Sequence, residues 1–138
     1  MLPSMSSFYD NLEMWIKRQE EVKNLFGKAE ESYENADRLT LITLARLAFH
    51  QMERTIEAFD NWLKDPLITV HMPREMLIEL WSKLRKILYE LIDLDVEHTR
   101  KFAEHLKELE SKGLINPLFT SRLASNEEKR QRRPTVTI

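Results

Sequence analysis

Apolar residues recur every three or four positions over most of the chain, which is the spacing of amphipathic helices. The longest such segment, residues 74–112, contains neither glycine nor proline. Its apolar seam has the spacing of a coiled coil and comprises Leu77, Leu80, Leu84, Ile87, Leu91 and Leu94. Pro73 at the start and Gly113 after the end are typical boundary residues. The pattern therefore predicts one helix over residues 73–112.

Two shorter periodic segments precede it and predict helices over about residues 7–34 and 38–64. Ser7 and Asp37 are candidate N-caps, and Asp65 before a proline should end the second helix. No glycine or proline separates these two helices, so one continuous helix is an open alternative.

The order of elements predicts an all-α fold in which three helices form an antiparallel bundle over residues 1–119, with a long third helix. The seam of the second helix is Ile42, Ala45, Phe49, Met52, Ile56, Phe59 and Leu63. We expect the middle of both seams to be almost fully buried, namely Phe49, Met52, Ile56, Leu84, Ile87 and Leu91.

Composition supports a folded chain, with 42% hydrophobic and 32% charged residues in a length of 138. The absence of cysteine excludes disulfides, thiol catalysis and cysteine-bound zinc. Apolar runs are too short to cross a bilayer, and the first residues lack a signal-peptide pattern, so we predict a cytoplasmic protein without membrane contact. Abundant Glu, Lys and Arg are compatible with a thermophilic origin.

The C-terminal residues 120–138 form a polar, basic tail that we expect to be flexible. Residues 118–138 carry a net charge of +3 within a chain of net charge −2, so the preceding part is acidic. Four cations lie close together and are candidate contacts for phosphates of nucleic acid or the ribosome: Lys129, Arg130, Arg132 and Arg133. The pattern favours a solvated, solubilising tail, with phosphate binding as the alternative and addition of residues 135–138 as a strand to a partner's sheet as a third interpretation.

Histidines and carboxylates at helical spacing are candidate metal ligands, because helical bundles bind metals through such pairs. The candidates are His50, Glu53, Asp95, His98 and His105. In an antiparallel hairpin the first pair would lie about 15 Å from His98 along the bundle. The pattern therefore favours histidines that form hydrogen bonds or set the helix register, and predicts no metal or other cofactor, with a metal-binding helical bundle as the remaining alternative.

No nucleophile motif, phosphate-binding loop or dinucleotide fingerprint is present. The carboxylates Glu90, Asp93, Asp95 and Glu97 are candidate acids or bases, but they lie mostly off the apolar seam, on a face that should be solvated. We therefore predict a non-enzymatic protein that acts through its helix faces.

Helix lengths predict self-association, because the third helix exceeds the first two by more than ten residues. Its projecting end continues an apolar stripe through Phe102, Leu106 and Leu109. An exposed apolar stripe indicates a protein interface, and a two-fold homodimer is the commonest oligomer. The sequence thus predicts a homodimer formed partly by these residues.

Two segments, residues 54–66 (RTIEAFDNWLKDP) and 71–77 (HMPREML), resemble an archaeal family of small helical proteins that is classed as a domain of unknown function. The resemblance extends over about residues 8–119. It implies an archaeal, cytosolic origin and supplies no catalytic residues.

Overall fold

The computed structural model describes residues 5–132, and these residues form helices without any strand. The α-helices are α1 (Met5–Glu30), α2 (Arg38–Lys64), α3 (Pro66–Thr69), α4 (Arg74–Ser111) and α5 (Pro117–Arg132). A short 3-10 turn covers Tyr33–Asn35. The all-α prediction is confirmed. The chain divides into two units, one ending at His71 and the other beginning at Met72. The packing of three helices into one antiparallel bundle stays a prediction.

Local signals place most helix ends as expected. Asp37 caps α2, because its carboxylate accepts a hydrogen bond of 2.7 Å from the Thr40 N–H. That bond lowers the pKa of Asp37 below its ordinary value. Glu30 ends α1, so the first two helices are separate rather than continuous. Ser7 lies inside α1, so its predicted capping role is wrong.

The connector after α2 is partly helical. The Asp65 side chain accepts a hydrogen bond of 2.9 Å from Leu67 N–H and thereby caps the single turn of α3, with Pro66 at its first position. Asp65 therefore acts at two helix ends, because it follows the last residue of α2 and caps the first turn of α3.

In the first unit α1 and α2 form an antiparallel pair that meets at a polar layer. Gln19 donates a hydrogen bond of 2.9 Å to the Thr55 hydroxyl and accepts one from the Gln51 amide. The half-buried positions on either side continue with heptad spacing, as in a coiled coil: Leu12, Trp15, Val22, Phe26 and Ala29 on α1, and Leu44, Ala48 and Ala58 on α2.

In the second unit α4 ends in a Schellman motif, and α5 returns along it. Gly113 has φ 68°, its N–H binds the Glu110 carbonyl at 3.0 Å, and Leu114 N–H binds the Leu109 carbonyl at 2.9 Å. Asn116 then caps α5 by accepting a hydrogen bond of 2.9 Å from Leu118 N–H. A helix therefore runs to Arg132 where a flexible tail was expected from residue 120.

None of the described residues is buried. The six side chains expected in the core are exposed by between 36% (Met52) and 59% (Ile56), with Phe49, Leu84, Ile87 and Leu91 between these values. Their predicted burial is wrong for this chain. The reason in the first unit is that α1 pairs with the side of α2 that carries Ala48, Gln51 and Thr55.

Candidate interaction surfaces

The predicted seam of α2 forms an apolar surface that no helix of its own unit covers; we call it the α2 face. Its large members are Ile42, Phe49, Met52, Ile56, Phe59 and Leu63, each at least 36% exposed. Because α1 packs on the stripe of α2 that carries Ala48, Gln51 and Thr55, the α2 face, which lies one residue further and so about 100° around the helix, is left uncovered by α1. Single exposed apolar residues need no explanation, but a continuous stripe indicates an interaction site.

A second such surface, the α4 face, runs along the first two thirds of α4. It consists of Leu84, Ile87, Leu91 and Leu94, which are exposed, and of Leu77 and Leu80, which are half-buried. Trp81, at 62% exposure, and Leu88, at 47%, widen it along one edge. Arg130, near the end of α5, lies at Asp95. Within the described part of the second unit, α5 therefore does not extend over the earlier turns of α4.

The predicted dimer residues near the end of α4 are partly covered by α5. Leu106 and Leu109 are half-buried, as are Ile115 and Leu123 in and after the turn. Phe102 remains 42% exposed. The fold-back thus reduces the apolar area that this end of α4 offers to another chain, and the predicted interface at these three residues stays a prediction.

The basic cluster forms the last turns of α5. One Arg130 nitrogen lies 2.6 and 2.7 Å from the two carboxylate oxygens of Asp95, and Arg132 lies 3.8 Å from Glu128 within the same helix. Lys129 belongs to the same turn, whereas Arg133 lies outside the described residues. Two of the predicted phosphate-binding cations therefore have carboxylate partners in their own chain.

The metal-ligand candidates are at most paired within residues 5–132 and form no group of three that could bind a metal ion. His50 and Glu53 approach only to 4.0 Å, with both side chains mostly exposed. Asp95 binds Arg130 and also accepts a hydrogen bond of 3.1 Å from the Thr99 hydroxyl. Across residues 5–132 no three histidines or carboxylates, His98 and His105 included, are grouped closely enough to bind a metal ion.

The candidate acid–base carboxylates lie on an exposed helix surface. Glu97 pairs with Lys101 at 3.3 Å, and Asp93 and Glu97 belong to a shallow, open depression that also includes Arg100, Lys101 and Glu104. Such exposed pairs of opposite charge are typical of a solvated helix side.

Sequence reasoning missed the contact between Arg130 and Asp95, which are 35 residues apart. Gln19 is the polar residue within the apolar stripe of α1, and a polar residue at a seam position is a signal for helix register. The structure shows that Gln51 and Thr55 are its partners.

Within the part of the chain that the structure describes, no helix is long and apolar enough to cross a membrane. No curated protein matches the chain significantly, and neither does any solved structure. One family does match, over residues 11–124, and it is described as an uncharacterized protein conserved in archaea (DUF2153). This match confirms the resemblance that residues 54–66 and 71–77 carry. The chain therefore belongs to this family of archaeal proteins.

Proposed function

We propose that this protein is a non-enzymatic helical interaction module of the cytoplasm that associates with itself, in the simplest case as a homodimer. The observation that supports the proposal is that each unit presents a long apolar helix face without a partner in its own unit, the α2 face and the α4 face.

Burial of apolar surface is the main favourable contribution to folding. A chain in which no described residue is buried gains little from it, so further packing is needed to stabilise these helices. A helical bundle completed by the two faces provides that packing. A second copy is the simplest partner, because every copy brings the same faces.

The test is the mass of the purified protein in solution, measured by light scattering during gel filtration and by sedimentation equilibrium over a range of concentrations. We expect twice the chain mass of 16.5 kDa. A strict monomer at high micromolar concentration would contradict self-association.

A second candidate function is binding of nucleic acid or the ribosome through the basic cluster. The observation that favours it is that three of the four cations, Lys129, Arg130 and Arg132, lie in the last turns of one helix. Because phosphate contacts release counterions, binding should weaken steeply with salt. Replacing Lys129 and Arg132 by alanine should reduce both affinity for RNA and the salt slope. Absence of RNA and DNA binding by the unaltered protein in low salt would exclude this function.

A further inference from the structure

We infer that the α4 face binds the α4 face of a second copy in antiparallel orientation, with a two-fold axis beside the bond between Arg85 and Lys86. The inference rests on the self-association proposed above and specifies its surface and geometry.

The seam of α4 fits this arrangement layer by layer. Leu77 and Leu94, Leu80 and Leu91, and Leu84 and Ile87 lie symmetrically about the Arg85–Lys86 bond. Antiparallel pairing would therefore bring each of these residues level with an apolar residue of the second copy. From Arg74 to Glu97 the helix extends over ~35 Å at about 1.5 Å per residue. Regular heptads also permit a parallel pair, so the residues beside the seam must decide the orientation.

One edge of the seam carries Met76, Lys83, Glu90 and Glu97. In an antiparallel pair this edge meets the same edge of the second copy, with Lys83 opposite Glu90 and, by symmetry, Glu90 opposite Lys83. Two complementary charge pairs then flank the centre. Met76 lies opposite Glu97, whose carboxylate is paired with Lys101 of its own helix at 3.3 Å.

The other edge carries Arg74, Trp81, Leu88 and Asp95. Here Trp81 of one copy meets Leu88 of the other, so that the two apolar residues of this edge cover one another. Arg74 lies opposite Asp95. Since Arg130 already binds Asp95, the charge argument depends on Lys83 and Glu90.

A parallel pair would match these edges poorly. In a parallel pair the edge that carries Lys83 and Glu90 meets the edge of the second copy that carries Leu88 and Asp95. Glu90 then lies beside Asp95 of the second copy, and Lys83 lies beside Leu88 of the second copy. Like charges next to the seam oppose that orientation. In the single chain Lys83 pairs with Glu79 at 3.0 Å, with both side chains about 70% exposed. Such a surface pair contributes little, so Lys83 is available for Glu90 of a second copy.

Charge reversal tests the pairing. Lys83→Glu alone and Glu90→Lys alone each create two like-charge pairs, and each should weaken dimerisation about tenfold. The double variant Lys83→Glu/Glu90→Lys should restore it. An equimolar mixture of the two single variants should form heterodimers, because each copy then supplies the charge that the other needs.

Lys86→Glu is the matched control, since Lys86 lies on the same helix with the same charge but outside the seam and its edges. Sedimentation equilibrium gives the dissociation constants, and circular dichroism verifies that each variant is helical. The inference is overturned if Lys83→Glu weakens dimerisation no more than Lys86→Glu does, or if neither the double variant nor the mixture restores it.

The results separate this inference from the proposed function. A dimer that is indifferent to all these changes would leave self-association established and overturn the α4 pairing. A monomeric protein would overturn both.

Discussion

A single nitrogen of the Arg130 guanidinium contacts both carboxylate oxygens of Asp95, at 2.6 and 2.7 Å, and so joins the end of α5 to the middle of α4. The two side chains are about half exposed, so water weakens the attraction between them. The pair nevertheless connects residues that are 35 positions apart in the chain. Each of the other ion pairs among the described residues joins side chains three or four positions apart on one helix.

We predict that Arg130→Ala loosens α5 without unfolding the protein. The free energy of unfolding should fall by less than about 1 kcal/mol, while amide hydrogen exchange in residues 117–132 should become faster. Arg132→Ala is the control, because its contact with Glu128 lies within α5 at 3.8 Å. Equal exchange rates in the two variants would show that the Asp95 contact does not hold α5.

The polar layer of Gln19, Gln51 and Thr55 should fix the alignment of α1 with α2 while lowering the stability of the protein. Polar residues at seam positions specify alignment at a cost in stability. We therefore expect Gln19→Leu together with Gln51→Leu to raise the melting temperature measured by circular dichroism. Gln19→Leu alone should raise it less than half as much, because Gln51 then loses its acceptor. A melting temperature below that of the original protein for the double variant would contradict this account.

The two glycines should respond to alanine in opposite directions. Gly113 has a left-handed backbone, so Gly113→Ala should cost about 1–2 kcal/mol of stability, although no atom outside the adjacent residues lies within 4 Å of the added carbon. Gly27 lies inside α1 with equally open space, so Gly27→Ala should add about 1 kcal/mol. Chemical denaturation measures both values, and a change of the same sign in the two variants would refute the assigned Schellman motif.

The cap of α2 should make stability depend on acid. The folded pKa of Asp37 lies below its ordinary value of 3.8 because the Thr40 backbone binds the carboxylate. The charged Asp37 cap therefore stabilises the folded protein fully at pH values above 3.8. This stabilisation is lost as the pH falls through the lower pKa of the folded state. Asp37→Ala should lower the melting temperature at neutral pH but change it little in strong acid, and Asp37→Asn should retain most of the cap. A charged cap would be contradicted if the difference in melting temperature between Asp37→Ala and the original protein were the same at neutral and at acidic pH.

The position of the dimer interface on α4 can be tested with two matched substitutions. Leu88→Glu should dissociate the dimer, because Leu88 would lie opposite Trp81 of the second copy. Phe102→Glu changes a residue of similar exposure (42% against 47%) that lies beyond the paired segment, and should leave the dimer intact. Dissociation by Phe102→Glu alone, measured by sedimentation, would instead support the interface at Phe102, Leu106 and Leu109.

The sequence by itself determined the helices and most of their ends, because these depend on contacts within a few residues. Asp37 and Asp65 cap through their own neighbours, and Gly113 ends α4 through bonds to the preceding turn. The helical form of α5 was missed, since a charged, polar segment without an apolar stripe resembles a solvated tail, and Asn116 caps it by a local bond that we did not recognise.

Only the tertiary structure decided which side of each helix is covered. The first half of α2 is apolar nearly all round, so its pattern permits α1 on either side. The hydrogen bonds of Gln19 with Gln51 and Thr55 favour the side that was not expected. Likewise nothing local distinguishes Arg130 and Asp95 from the other exposed charges. Their contact exists because the turn at Gly113 directs α5 back along α4.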